Sequence, residues 1–123
     1  MIKVTAAVIR QGEKVLICKR PKGKNHGGLW EFPGGKVEAG ETLFDCIIRE
    51  CREELCITLE PIKIVTTIRN GDFEITFIEC RILSGEITLT EHEDFMWISK
   101  DKTGSIEFCP TDKKALKEIF GSV

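Results

Sequence analysis

A glycine pair followed by a helix-forming segment with three glutamates constrains this chain more than any other feature. Gly34-Gly35 leads into an acidic loop, and residues 42–55 then lack glycine and proline and are rich in good helix formers. At about 100° per residue, Glu50, Glu53 and Glu54 share one face of the predicted helix. An apolar stripe predicted to face the core consists of Phe44, Ile48, Cys51 and Leu55.

The three glutamates have two interpretations. Such a face is often simply solvated, and for glutamates alone this is the commoner outcome. Here Leu43, Cys46 and Ile47 precede them on the same face, which indicates partial burial. Hard divalent cations use oxygen ligands, and Mg²⁺ commonly combines a few carboxylates with the phosphate oxygens of a substrate. The glycine pair favours this second interpretation, because glycine lets the backbone approach a ligand closely.

With this spacing the segment resembles the box of the Nudix hydrolases, which reads G, five residues, E, seven residues, R-E, an aliphatic residue, any residue, E-E, any residue, G and an aliphatic residue. The matching positions are Gly35, Glu41, Arg49, Glu50, Cys51, Glu53, Glu54, Cys56 and Ile57. Cys51 replaces an aliphatic residue, which is a mild change. Cys56 replaces a glycine that ends the helix in a left-handed conformation, which costs other residues roughly 1–2 kcal/mol. We therefore expect a differently shaped helix end, with the catalytic positions kept.

The resemblance implies one Nudix domain over residues 1–123, with the Nudix fold: an α/β/α sandwich with a mixed central sheet and the catalytic loop-helix-loop. The residue pattern independently predicts an α+β protein, because strands outnumber helices and are joined by hairpins. Residues 86–90 are expected to follow a turn as a further short strand. Thr111 is predicted to cap a final helix that ends at Gly121.

The resemblance also implies a metal site. Glu50, Glu54 and the Gly34 backbone carbonyl would bind Mg²⁺, for which Mn²⁺ would substitute. Glu53 would complete the shell or act through water. Such a site activates a water molecule and neutralises the charge of the substrate phosphates.

Other residues would hold the acidic loop in place or activate the attacking water. Glu41 and Arg49 would pair and hold the loop against the helix. The general base is open between Glu50, Glu53 and Glu91, the last matching a loop glutamate that some MutT-like members use. His92, beside it, is expected to be an ordinary exposed loop histidine.

Substrate-contacting residues are expected before and after the helix. Arg20 lies in a basic loop and is placed to hold phosphate oxygens. Trp30 and Phe32 either stack on a nucleobase or belong to the core. By resemblance, Asp112 would read the base edge, and Phe73 stands where some relatives have a basic residue.

Length and the stretch LWEFPGGKVEAGE resemble the MutT branch, which cleaves nucleoside triphosphates to a monophosphate and pyrophosphate. The leading hypothesis is therefore an 8-oxo-dGTP diphosphatase that protects DNA from mutation. CTP or 5-methyl-dCTP pyrophosphohydrolase is the alternative, because Asp112 would suit either base. A nucleotide-sensing module without turnover is a third hypothesis, which the intact glutamates disfavour.

Composition limits the partners. The net charge of −2 gives no basic field for a nucleic-acid polymer, so we expect a small-molecule nucleotide. No apolar run approaches a membrane span, and the first residues do not resemble a signal peptide, so a cytoplasmic protein is expected. The six cysteines contain no C-x-x-C pair and are predicted to be buried free thiols. The oligomeric state is open.

Overall fold

The computed structural model describes residues 1–121. The strands, in chain order, are β1 (Ile2–Gln11), β2 (Lys14–Lys19), β3 (Trp30–Glu31), β4 (Gly34–Lys36), β5 (Thr58–Asn70), β6 (Phe73–Ser84) and β7 (Asp94–Ile98). The helices are α1 (Leu43–Leu55), α2 (Pro110–Phe120) and a 3₁₀ helix (Lys100–Ser105).

β1 is the centre of one mixed sheet. The strand order is β3-β2-β1-β6-β5, with β4 beside β1 and β7 beside β2. β1 runs parallel to β6 and antiparallel to β2 and β4. Gly34 lies opposite Ala6 and Gly35 opposite Thr5, so the central strand holds the start of the acidic loop.

Both faces of the sheet are buried at β1, which is why residues 6–9 of this strand form a continuous apolar run. Successive residues alternate between two cores: Ala6 and Val8 belong to one, Ala7 and Ile9 to the other. The first core is covered by α2 through Ala115, Leu116 and Ile119. The second is covered by α1 through Ile47, Cys51 and Leu55. The predicted α+β class and α/β/α sandwich are confirmed.

The buried face of α1 is offset from the predicted stripe. Cys46 and Ile47 are fully buried, whereas Phe44 is 38% exposed and Ile48 only partly buried. The sheet meets the helix along the line Ile47, Cys51 and Leu55, with Leu43 packed against the same core, so Phe44 lies to the side of this contact line. The prediction that Phe44 faces the core was wrong.

Two further expectations are corrected. Residues 86–90 form no strand; Ile87 and Leu89 instead pack against the second core, which accounts for their alternation. Helix α2 begins at Pro110 with Cys109 as its N-cap, because proline is well suited to a first helical position, and Thr111 lies inside the first turn.

Cys56 keeps the backbone geometry of the glycine it replaces. Its φ of 59° and ψ of 32° are left-handed, and its N–H donates to the Arg52 carbonyl. The expectation of a differently shaped helix end was therefore wrong, and Cys56 carries the strain instead. All six cysteines are unpaired, and Cys56 alone among them is exposed.

Within residues 1–121, neither α-helix has the length and apolar character needed to cross a bilayer.

Candidate active site

The two glycines between β1 and α1 are required by close approaches. A Cβ on Gly34 would stand 2.0 Å from the Thr5 carbonyl oxygen. A Cβ on Gly35 would stand 2.4 Å from the carboxyl carbon of Glu50. The glycines therefore let the backbone of β4 lie directly against β1 on one side and against a helix carboxylate on the other.

The acidic loop is fastened to the helix by Arg49. Its Nε and Nη2 donate to Glu41 Oε2 and Oε1 at 2.5 and 3.0 Å, and Nη2 also donates to the Lys36 carbonyl at 3.1 Å. Hydrogen bonding from Arg49 lowers the pKa of Glu41 to about 2. Thr42 and Asp45 form a reciprocal capping box at the helix start. The loop from 36 to 42 thus has a fixed path.

Glu50 and Glu54 form a pair of largely buried carboxyl groups. Their side chains are 16% and 13% exposed. Burial, followed by hydrogen bonding and repulsion from Glu50, raises the pKa of Glu54 to about 9. Arg49 Nη1 reaches Glu50 at 2.8 Å and leaves Glu54 without a cationic partner at hydrogen-bond distance among residues 1–121. Such a pair lacks positive charge, which a divalent cation would supply.

Glu53 is the exposed member of the three glutamates. Its side chain is 61% exposed, and its carboxylate accepts from Arg49 Nη1 at 3.1 Å, the same nitrogen that donates to Glu50 at 2.8 Å. Arg49 therefore bridges Glu50 and Glu53, whereas Glu54 is buried beside Glu50. Two of the glutamates turn inward, and the third is open to water.

A small polar cavity of about 200 Å³ adjoins Glu54. This space is called the polar cavity below. Its lining residues are Arg20, Pro21, Lys24, Glu31, Gly34, Glu54, Glu91 and His92. Glu91 is exposed, and its carboxylate lies 3.7 Å from Lys24 Nζ. Both positive and negative side chains thus meet in a space large enough for phosphate groups.

The loop that carries Glu91 is tied to the end of α1. Thr90 Oγ1 donates to the Glu53 carbonyl at 2.7 Å, and the Thr90 and Thr88 amides donate to the carbonyls of Glu54 and Leu55. These bonds satisfy carbonyl groups that a helix end leaves free. The loop glutamate and the helix glutamates are therefore held in one arrangement.

A wider cleft of about 540 Å³ lies on the other side of Glu31. Phe73 and Ile75 form an apolar part of its lining, and Asp112 a polar part. Phe73 is 39% exposed, so its ring is available to a ligand. This wide cleft combines an aromatic face with hydrogen-bonding groups.

Sequence reasoning left Trp30 and Phe32 open between stacking and the core. Phe32 is buried, stacks on Phe108 at 6.0 Å and meets Phe77 edge-on at 6.1 Å. Its ring is therefore a core ring, although the residue also borders the wide cleft. Trp30 is half-buried against the same core.

Asp112 is hydrogen-bonded to the segment that follows β3. Its Oδ1 accepts a hydrogen bond from the Phe32 amide at 2.9 Å. Burial raises the pKa of Asp112 to about 7, although the Phe32 amide opposes that rise. Near neutral pH this carboxyl can therefore act as acceptor or donor.

Glu31, Cys109 and Asp112 bring ligand-type atoms within 4.8 Å of one another. Burial raises the pKa of Cys109 to about 12, so its thiol stays protonated near neutral pH. Metal binding uses the thiolate. This group is therefore better suited to hydrogen bonding than to a metal ion.

His92 is the residue that sequence reasoning missed. Its side chain is 3% exposed, not solvated, and Nε2 lies 2.8 Å from Glu31 Oε2. The expectation of an exposed loop histidine was wrong because the contact spans 61 positions, and no local pattern reveals it.

Comparisons with known proteins bear on this site. The NUDIX domain model matches residues 1–119. The CTP pyrophosphohydrolase of Escherichia coli is 31% identical, covering 98% of this chain and 92% of that protein. The 8-oxo-dGTP diphosphatase of Proteus vulgaris is 37% identical, covering 73% and 83%. The crystal structure of a MutT NUDIX hydrolase from Burkholderia pseudomallei superposes with a TM-score of 0.84 at 25% identity, covering 95% and 96%.

Proposed function

This chain belongs to the Nudix family and is a hydrolase of phosphoanhydrides, and we propose that residues 1–123 act as one Mg²⁺-dependent domain that cleaves nucleoside triphosphates to a monophosphate and pyrophosphate. The observation that carries the proposal is the inward pair Glu50 and Glu54, of which only Glu50 has a cationic partner, Arg49, at hydrogen-bond distance within residues 1–121. Its position beside the polar cavity supports a phosphate substrate.

Glu50, Glu54 and the Gly34 carbonyl would hold the metal ion, with Glu53 acting through water. The bound ion would lower the pKa of water and neutralise phosphate charge. Arg49 keeps Glu50 in place, and Glu41 keeps Arg49 in place. Positioning and charge neutralisation are the main requirements of phosphoryl transfer.

We propose Glu91 as the general base. Its carboxylate lines the polar cavity, pairs with Lys24 and lies outside the metal ligands proposed here, so it is free to accept the proton of the attacking water. Glu50 and Glu53 are the alternatives. Arg20 and Lys24 would hold phosphate oxygens in the same cavity.

For the base we propose 8-oxoguanine in the wide cleft, with Phe73 against the ring and Asp112 at the base edge. The guanine edge presents N1–H and N2–H₂ side by side, which suits a carboxylate acceptor. Hydrolysis of 8-oxo-dGTP would keep an oxidised base out of DNA, and the Proteus relative carries that name.

A second candidate is a cytosine nucleotide, favoured by the raised pKa of Asp112. A protonated carboxyl would donate to cytosine N3 while its other oxygen accepts from N4–H₂. The E. coli relative named CTP pyrophosphohydrolase gives this candidate weight.

A substrate panel tests both candidates. Purified protein with Mg²⁺ is assayed for pyrophosphate release from 8-oxo-dGTP, dGTP, CTP and 5-methyl-dCTP between pH 6 and 9, a range set by the Asp112 pKa of about 7. We expect the highest kcat/KM for 8-oxo-dGTP. A preference for cytosine nucleotides that fades above pH 7 would select the second candidate. Nucleotide binding without turnover would identify a sensing module instead.

A further inference from the structure

His92 is buried between the two halves of the site. Nε2 lies 2.8 Å from Glu31 Oε2, while Nδ1 lies 3.9 Å from Glu54 Oε1 and has no hydrogen-bond partner among residues 1–121. The backbone on both sides is fixed, because Thr90 binds the end of α1 and the Glu93 amide donates to the Lys19 carbonyl. The imidazole is therefore presented by a rigid loop.

Glu31 lines both the polar cavity and the wide cleft, as Arg20 and Gly34 also do, so its carboxylate lies at the boundary between the two spaces. Its strand pairs Glu31 with Cys18, which fixes the backbone but leaves the rotatable bonds of the side chain free. The carboxylate also has acidic neighbours on each side: it raises the pKa of Glu54 and that of Asp112. Repulsion would move it unless donors hold it.

Within residues 1–121, two side chains donate hydrogen bonds to Glu31, and these bonds differ in length. Arg20 Nη1 reaches its two oxygens at 3.2 and 3.4 Å, whereas His92 Nε2 reaches one at 2.8 Å. On the proposed function, Arg20 also binds phosphate, so its bond to Glu31 competes with substrate. His92 then remains as the anchor.

We infer that His92 is a positioning residue: its Nε2–H holds Glu31 against the wide cleft, so that base selection stays fixed while Arg20 engages the phosphates. This inference rests on the proposed function. A carboxylate can only accept, so Nε2 carries the proton in this bond. His92 thereby acts on specificity without touching the base.

Two substitutions of His92 by residues with an amide side chain distinguish the roles of its two ring nitrogens. Glutamine can place its amide nitrogen near the position of Nε2, and asparagine near that of Nδ1. We expect His92→Asn to change the ratio of kcat/KM for 8-oxo-dGTP over CTP by about tenfold, the effect of losing one well-placed bond to a charged group. His92→Gln should stay within about twofold of wild type by the same measure. The ratio cancels differences in the fraction of folded enzyme, so a merely structural defect would not move it.

The route through Glu31 is tested in the double variant. In a Glu31→Met background, which has no side-chain oxygen to accept a hydrogen bond, His92→Asn should lose most of its effect on the ratio, because the partner is already gone. Glu93→Gln, in the same loop, serves as the control and should leave the ratio unchanged. Additive effects, a damaging His92→Gln or an unchanged ratio in His92→Asn would each overturn the inference.

Imidazole ¹⁵N spectra give a readout independent of turnover, since the chain has only 2 histidines. A protected Nε2–H signal should be present in wild type and lost in Glu31→Met. If the wild type binds non-hydrolysable analogues of both nucleotides without hydrolysing the parent compounds, the proposed function fails, and the ratio of binding constants replaces that of kcat/KM. Absence of the Nε2–H signal, or of binding to either analogue, would overturn the inference as well.

Discussion

A Cβ built on Gly35 stands 2.4 Å from the Cδ atom and from Oε2 of Glu50. No real side chain fits at that distance, so any residue larger than glycine at this position displaces the carboxylate. The displaced group is the end of a flexible side chain, not backbone, and the fold can therefore tolerate its movement. Gly35 consequently sets the position of Glu50 without being essential to stability.

The first prediction concerns Gly35→Ala. We expect Mg²⁺ affinity and kcat to fall by about tenfold or more, because metal sites demand accurate ligand placement. The thermal midpoint without metal should change little. Gly104→Ala is the matched control, since a Cβ there meets no atom within 4 Å. Calorimetric titration with Mg²⁺ measures the affinity; equal affinities in the two variants would contradict the prediction.

The second prediction compares the inward and outward glutamates. Glu50→Gln should reduce kcat by about two or more orders of magnitude while the circular dichroism spectrum is unchanged, because it removes a charged ligand from a buried pair. Glu53→Gln should cost less, since its carboxylate faces water beside Arg49. A wild-type kcat in Glu50→Gln would exclude Glu50 from the mechanism.

The third prediction is a pH dependence of stability in the metal-free protein. The pKa of Glu54 is raised to about 9 in the fold, so between pH 4.5 and 9 the folded protein holds a proton that the unfolded chain releases. Its contribution is complete below pH 4.5 and is lost as pH rises toward 9. Glu54→Gln should flatten this part of the profile, measured by urea unfolding at several pH values.

Metal binding supplies the complementary measurement. Saturating Mg²⁺ should stabilise the wild type increasingly as pH rises, because the ion binds the ionised carboxylate. Glu54→Gln should show little of this gain. A wild-type protein whose unfolding midpoint does not respond to Mg²⁺ at pH 8 would contradict the proposed ligand set.

The fourth prediction concerns the strained end of α1. Cys56→Gly should raise the free energy of unfolding by about 0.5–1 kcal/mol, because glycine adopts the left-handed geometry freely but loses more entropy on folding. Cys56→Ala keeps a Cβ at the same φ and should stay near wild type. Urea unfolding of the two variants separates backbone strain from the loss of the exposed thiol.

The spacing of residues a few positions apart in the sequence predicted much of the fold but little of the wider site. The helix over residues 43–55 and its glycine pair follow from interactions a few positions apart. The burial of Ile47 in place of Phe44 depends on where the sheet meets the helix, which spacing alone does not specify.

Contacts that join distant parts of the chain were the harder part. The Glu31–His92 bond and the Asp112–Phe32 bond cross 61 and 80 positions. The sequence left Phe32 open between stacking on a ligand and packing in the core, and the contacts of its ring with Phe77 and Phe108 place the ring in the core. Contacts between residues so far apart in the chain produce no periodic pattern in the sequence, so the sequence does not predict them.

The bonds from Thr88 and Thr90 to the last turn of α1 have a consequence for how relatives of this enzyme can diverge. A connection between two strands is ordinarily free to lengthen or shorten. Here an insertion or deletion would break the hydrogen bonds to the carbonyl groups of Glu53 and Glu54 before it altered any substrate contact. New substrate preferences should therefore arise by exchange of side chains within this connection, while its length is conserved.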